Sequence, residues 1–170
     1  MNYSVENLVL TGLILLTGLT AGLCFTWSNT ITAGIGRLDD LSFLRAFQEM
    51  NRVIINPTFI LVFFGPVIGN IVNIYLNNNE KTEALWLFVI AGGLFILGVG
   101  FVTVFKNVPL NNILDRTDLL SASGQELKEL RSIFEIPWNK WHMVRTVTSI
   151  LSFVLLLIGL IIRNNHIIKL

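Results

Sequence analysis

Four stretches of this chain run for about 20 residues with almost no charge, and that pattern limits the fold more than any other feature. They cover about residues 8–27, 58–76, 84–105 and 144–162, and Arg145, near the start of the fourth, is the one Lys, Arg, Asp or Glu inside them. An apolar run of this length crosses a hydrocarbon layer about 30 Å thick as a helix, which satisfies its own backbone groups. Of the 170 residues 53% are hydrophobic and 14% charged, with a mean hydropathy of +0.68, where soluble domains carry roughly 25% charged residues. The expected fold class is therefore all-α, an integral membrane four-helix bundle forming one domain over residues 1–170. The lipid bilayer is its first expected partner.

The connections refine this picture. Asp39 or Asp40 is placed to cap an amphipathic helix over about 40–55, whose Leu41, Phe43, Leu44, Phe47 and Met50 oppose Arg45, Gln48, Glu49 and Arg52. Asn56-Pro57 fits the cap and first position of span two, because a proline there gives up a donor that has no partner anyway. Ser123-Gly124-Gln125-Glu126 reads as a capping box, so a second short helix is expected over about 124–135, ended by Pro137. Both amphipathic helices fall on one side of the bundle. Gly34 and Gly36 are expected to break the chain after span one, and Pro109 to stop or redirect the helix after span three. Pro66 should kink span two, with Asn70 and Asn73 bridging to neighbouring helices. Gly18 and Gly22 share a face suited to close helix packing or to a homo-oligomer contact.

Charge gives orientation and excludes some functions. Twelve basic against eleven acidic residues leave no field that would recruit nucleic acid. Arg37, Arg45, Arg52, Lys106, Arg116, Lys128, Arg131, Lys140 and Arg145 follow spans one and three, against Lys81, Arg163 and Lys169 on the other side. The positive-inside bias then puts both long connections in the cytoplasm and both termini outside. The first residues carry Glu6 and no Lys or Arg, so the first run is read as a retained span and not a cleaved leader. Cys24 stands alone and forms no internal disulfide.

The polar and aromatic residues at the span ends are the candidate site. Asn51, Arg52 and Asn56 open span two, Asn107 and Asn111 close span three, and Trp138, Trp141, His142 and Arg145 open span four. Antiparallel spans bring all three groups to one face. On a helix the last four residues recur at three- and four-residue steps and are expected to project together. His142, with an ordinary pKa near neutrality, is the expected general base. Arg145 would join it in the chemistry, and Arg52, Asn56, Asn107, Asn111, Trp138 and Trp141 would bind substrate through charge, amides and flat rings. No cofactor is expected. A haem or metal at His142 is the lesser alternative, because His166 lies beyond span four and no second His or Cys cluster exists.

The glycine-rich first span with Phe25 and Trp27, the Asn51-Arg52…Asn56-Pro57 element, Asn107-Val108-Pro109-Leu110-Asn111 and Trp138-x-x-Trp141-His142-x-x-Arg145-Thr146 resemble the anthrone oxygenase-like family of small four-span membrane proteins. Its bacterial members are mostly a domain class of unknown function, which would place this chain in a bacterial inner membrane. For fungal relatives the resemblance implies oxidation of an anthrone to an anthraquinone by molecular oxygen, without an evident bound cofactor. It singles out Asn107, Asn111, Trp141, His142 and Arg145. The expectation is a membrane-embedded oxygenase for a lipophilic aromatic ligand. The alternatives are a noncatalytic membrane protein that binds a lipid or a partner protein and, third, a transporter with a broken-helix site at Pro66, Asn70 and Asn73.

Overall fold

A computed structural model describes residues 4–78 and 83–168. Lys81 and Lys169, counted above for orientation, lie outside the described residues, as does the side chain of His166. The described residues form helix α1 (Val5–Ile35), α2 (Asp40–Ile54), α3 (Pro57–Leu76), α4 (Glu83–Arg116) and α5 (Gly124–Ile168). By length and apolarity α1, α3, α4 and α5 can each cross a membrane. The chain is an all-α integral membrane protein, with α2 as the amphipathic element beside the four long helices.

The caps form as their residues dictate. Asp39 Oδ1 accepts from Ser42 N at 3.0 Å, and Asn56 Oδ1 accepts from Phe59 N at 3.0 Å ahead of Pro57. Ser123 and Glu126 make the reciprocal capping box, Ser123 N donating to Glu126 Oε2 at 2.7 Å and Glu126 N to Ser123 Oγ at 3.3 Å.

Of three expected breaks, the one at the glycines after span one occurs and those at Pro109 and Pro137 do not. α1 continues past Trp27 through a π-helical turn at Trp27–Ile31 and ends at Gly36, whose N–H still reaches Thr32 O. α4 continues past Asn107 to Arg116, through π-helical stretches at Ile96–Phe101 and Thr103–Asn107. Pro109 closely follows the second π-helical stretch, and the helix runs through it. Pro137 sits inside the 45-residue α5 and does not end it. Its two sides are held by tertiary packing, since Phe134 and Trp138 are buried with Phe43 and Phe47 of α2. Arg131, one turn earlier, donates to Gly36 O and Leu38 O, each at 2.8 Å, and pairs with Asp40 and Glu135.

Neighbouring long helices run antiparallel and approach closely. A Cβ on Gly18 would stand 2.9 Å from the Phe153 ring, one on Gly98 2.5 Å from Thr148, and one on Gly159 2.5 Å from Phe88. The Gly18 face therefore packs within the bundle. Pro66 leaves the Val62 carbonyl without its helical donor, and Thr20 of α1 supplies a replacement, its hydroxyl donating to Val62 O at 2.7 Å. Asn70 bonds within its own helix, Nδ2 to Pro66 O at 2.8 Å, and does not make the expected bridge through a side-chain bond. Asn73 accepts from Asn77, and it is Asn77 that bridges by accepting from Arg163 at 3.1 Å. Arg163 also donates to Asn7, so one buried guanidinium ties α1, α3 and α5 together at the end of the bundle far from α2.

Candidate functional site

At the α2 end the long helices part around a cavity of about 430 Å³. Its walls are Leu23, Cys24 and Trp27 of α1, the last turns of α2, Phe59, Ile60, Phe63 and Phe64 on the first turns of α3, Thr103, Asn107 and Asn111 of α4, and Trp138, His142 and Arg145 of α5. The lining is mainly apolar and aromatic, so charge placed inside is weakly screened.

Arg145 is the dominant charge. It is 7% exposed, and none of the ion pairs among the described residues includes it. Its Nη1 donates to Thr103 Oγ1 at 3.3 Å and its Nη2 lies 2.6 Å from His142 Nδ1, while Nε has no partner among the described residues. The guanidinium also lies 5.3 Å from the Trp138 ring centre and 5.8 Å from that of Phe63. Taking such a cation out of water without a carboxylate costs several kcal/mol, and aromatic faces return only part of it. A guanidinium so placed can donate to an anionic oxygen brought into the cavity.

The tautomer of His142 follows from its neighbours. A guanidinium has no acceptor, so Arg145 donates to Nδ1, and the ring proton sits on Nε2, which donates to the Cys24 carbonyl at 3.1 Å. Both nitrogens are engaged, and the lone pair expected of a free general base is lent to Arg145. Thr146 Oγ1 donates to the same Cys24 carbonyl at 3.3 Å, just before the π turn that carries Trp27. Asn111 Oδ1 accepts from Trp138 Nε1 at 2.8 Å, Asn107 Nδ2 donates to Trp138 O at 3.2 Å, and the Trp138 ring stacks on His142 with centres 4.8 Å apart. Asn111 thus holds the Trp138 ring, Asn107 ties its backbone to α4, and the ring packs flat on His142.

Residues 55–155 match the protein-family model described as anthrone oxygenase. The chain belongs to this family. No curated protein and no solved structure matches it.

Of the residues picked out in the sequence, this anthrone oxygenase-family chain brings Arg52, Asn107, Asn111, Trp138, His142 and Arg145 to the cavity wall. Arg52 stands at the mouth, half-exposed, paired with Asp115 at 2.7 Å and Glu49 at 3.1 Å; the Asp115 carboxylate holds its guanidinium more firmly protonated than usual. Asn56 and Trp141 do not line the cavity. Asn56 is used up as the α3 cap, and Trp141 lies between Lys106 and Lys140, 5.1 and 5.9 Å from their ammonium nitrogens. Trp141 sits about 100° around the helix from His142, at one edge of the arc that Trp138, His142 and Arg145 span, where the two lysines take its ring. Asn51, named with the span-two cluster, lines the cavity too, while Trp27, Phe63 and Thr103 line it and were not picked out as site residues. Thr103 had a signal, since it continues the four-residue series of Asn107 and Asn111 one turn earlier.

Proposed function

We propose that this chain is a membrane-embedded oxygenase for a lipophilic aromatic of the anthrone type, working without a resident cofactor. The observation that carries this reading is the buried Arg145 cation, without a carboxylate, on the wall of an aromatic cavity and 2.6 Å from the lone-pair nitrogen of His142. Family membership supplies the reaction class.

In this reading the carbonyl oxygen of the substrate takes a hydrogen bond from Arg145 and competes with His142 Nδ1 for the Nη2 hydrogen. The freed lone pair then accepts a proton from the acidic ring CH₂, and Arg145 holds the resulting enolate. The carbanion carbon bonds to molecular oxygen, and the peroxide formed takes the proton back from His142. Loss of the second ring hydrogen as a proton, with cleavage of the O–O bond, leaves a carbonyl and releases water. Oxygen is reduced and the ring carbon oxidised, with no other reductant consumed.

The bias of basic residues supports an inner-membrane orientation with α2 and the early turns of α5 in the cytoplasm and both termini outside. The test of the reaction is oxygen uptake with a simple anthrone by detergent-purified protein, wild type against His142→Ala. Uptake lost in the variant supports the oxygenase. Equal uptake in both removes His142 from the chemistry and favours a noncatalytic lipid- or partner-binding protein.

A further inference from the structure

The cavity has a side that faces lipid. Ile60, on the first turns of α3, and Val108, on α4, both line it and are 49% and 39% exposed. Ile55, another lining residue, is 73% exposed. A side chain that belongs to the wall of a cavity and to the outer surface marks an opening. α3 packs along α1 and the first part of α4, and its Pro57 end meets the later turns of α4 only sparsely. Around this gap the outer surface is apolar: Leu61, Val104 and Phe105 are 60%, 47% and 62% exposed. Asn56, one turn before Ile60, and Lys106, two residues before Val108, are the polar residues expected where acyl chains meet headgroups. The gap therefore opens sideways, just beneath the bilayer surface.

From this we infer that the ligand is a phenolic or keto aromatic carrying a long alkyl chain, its ring beside Arg145 and its chain passing between Ile60 and Val108 into the bilayer. This rests on the reading of the cavity as a substrate site and goes further by naming the substrate's shape. Organic ligands occupy pockets of roughly 300–1,000 Å³, so about 430 Å³ holds fused rings but not a long chain folded over them. Through the gap, the chain keeps the apolar surroundings it had in the membrane. Its methylenes neither gain nor lose hydrophobic free energy on binding. A closed cavity would reject the same chain outright.

The test compares a hydroxyanthraquinone with its dodecyl derivative, each bound to full-length protein in phosphatidylcholine nanodiscs. Binding is read from tryptophan quenching and expressed against mole fraction in the bilayer. Wild type should bind both within about threefold, whereas Ile60→Trp and Val108→Trp should weaken the dodecyl compound by about tenfold or more and leave the parent within about threefold. Leu61→Trp, exposed but off the cavity wall, controls for the added bulk and should change neither. The inference is overturned if wild type binds the dodecyl compound about tenfold more weakly, or if the two lining substitutions affect both compounds alike or neither. Binding of neither compound overturns the substrate-site reading together with it. Selective binding as expected, without oxygen uptake on anthrone, removes the oxygenase reading alone.

Discussion

Arg145 Nη2 lies 2.6 Å from His142 Nδ1, one turn away on the same helix, and Thr103 holds the other end of the guanidinium. The two residues form a unit in which the cation is aimed by an imidazole that is itself fixed by the Cys24 carbonyl and the Trp138 ring. Replacing Arg145 by Gln should lower anthrone-dependent oxygen uptake by at least about a hundredfold, the size of effect seen when an oxyanion donor is removed. Thermal stability should be equal or higher, because a buried unpaired charge is gone. Uptake within a factor of about three of wild type would show that Arg145 does not hold the reacting oxygen.

Thr20 and Pro66 should be energetically coupled across the α1–α3 contact. Thr20→Val removes the hydroxyl that satisfies Val62 O and should cost on the order of 1 kcal/mol. In a Pro66→Ala background residue 66 regains its N–H, the carbonyl has its own helical donor, and the same change should cost much less. A double-mutant cycle by denaturation in mild detergent measures the difference; strictly additive effects would refute the compensation.

Glycines in the spans should respond unequally to alanine. At Gly98 a Cβ would meet Thr148 at 2.5 Å, while at Gly22 nothing lies within 4 Å. Gly98→Ala should destabilise by about 1–3 kcal/mol, and Thr148→Ala in the same chain should recover part of that loss. Gly22→Ala should be neutral or slightly stabilising, since alanine favours the helix. Thermal unfolding of the four proteins side by side decides it.

Acid should loosen the start of α2. The hydrogen bond from Ser42 N holds the Asp39 carboxyl below the usual carboxylate range. A lowered folded-state pKa means that the cap's contribution is complete above the ordinary carboxylate value and is lost as pH falls through the lowered one. Amide exchange at Ser42, corrected for its intrinsic pH dependence, should therefore speed up in acid for wild type. Asp39→Asn keeps an acceptor that does not titrate and should flatten the response; identical profiles would rule the cap out as the cause.

The parts of the fold that were legible in the sequence are those set by local chemistry. Uncharged length located the long helices, and Asn56-Pro57 and Ser123 with Glu126 marked helix starts that form as expected. Reading Pro109 and Pro137 as stops failed because a proline removes one hydrogen bond, whereas Phe134 and Trp138 on either side of Pro137 are buried against α2. At the site, the steps from Trp138 to His142 and Arg145 were readable and the inclusion of Trp141 overextended them. Trp27 entered the wall at a π turn, which no residue composition announces. The engagement of His142 Nε2 depends on a partner 118 positions away at Cys24, beyond the reach of any local pattern.

The absence of a break at Pro137 has a mechanical result. A helix of 45 residues is about 68 Å long, more than twice the thickness of the hydrocarbon layer. Its outer turns grip the start of α2 and the segment before it through Arg131, and its inner turns carry Trp138, His142 and Arg145. Nothing along that length acts as a joint except the one missing hydrogen bond at the proline. A push on the part of the rod that stands in water is therefore delivered, as tilt or twist, to the guanidinium inside the membrane.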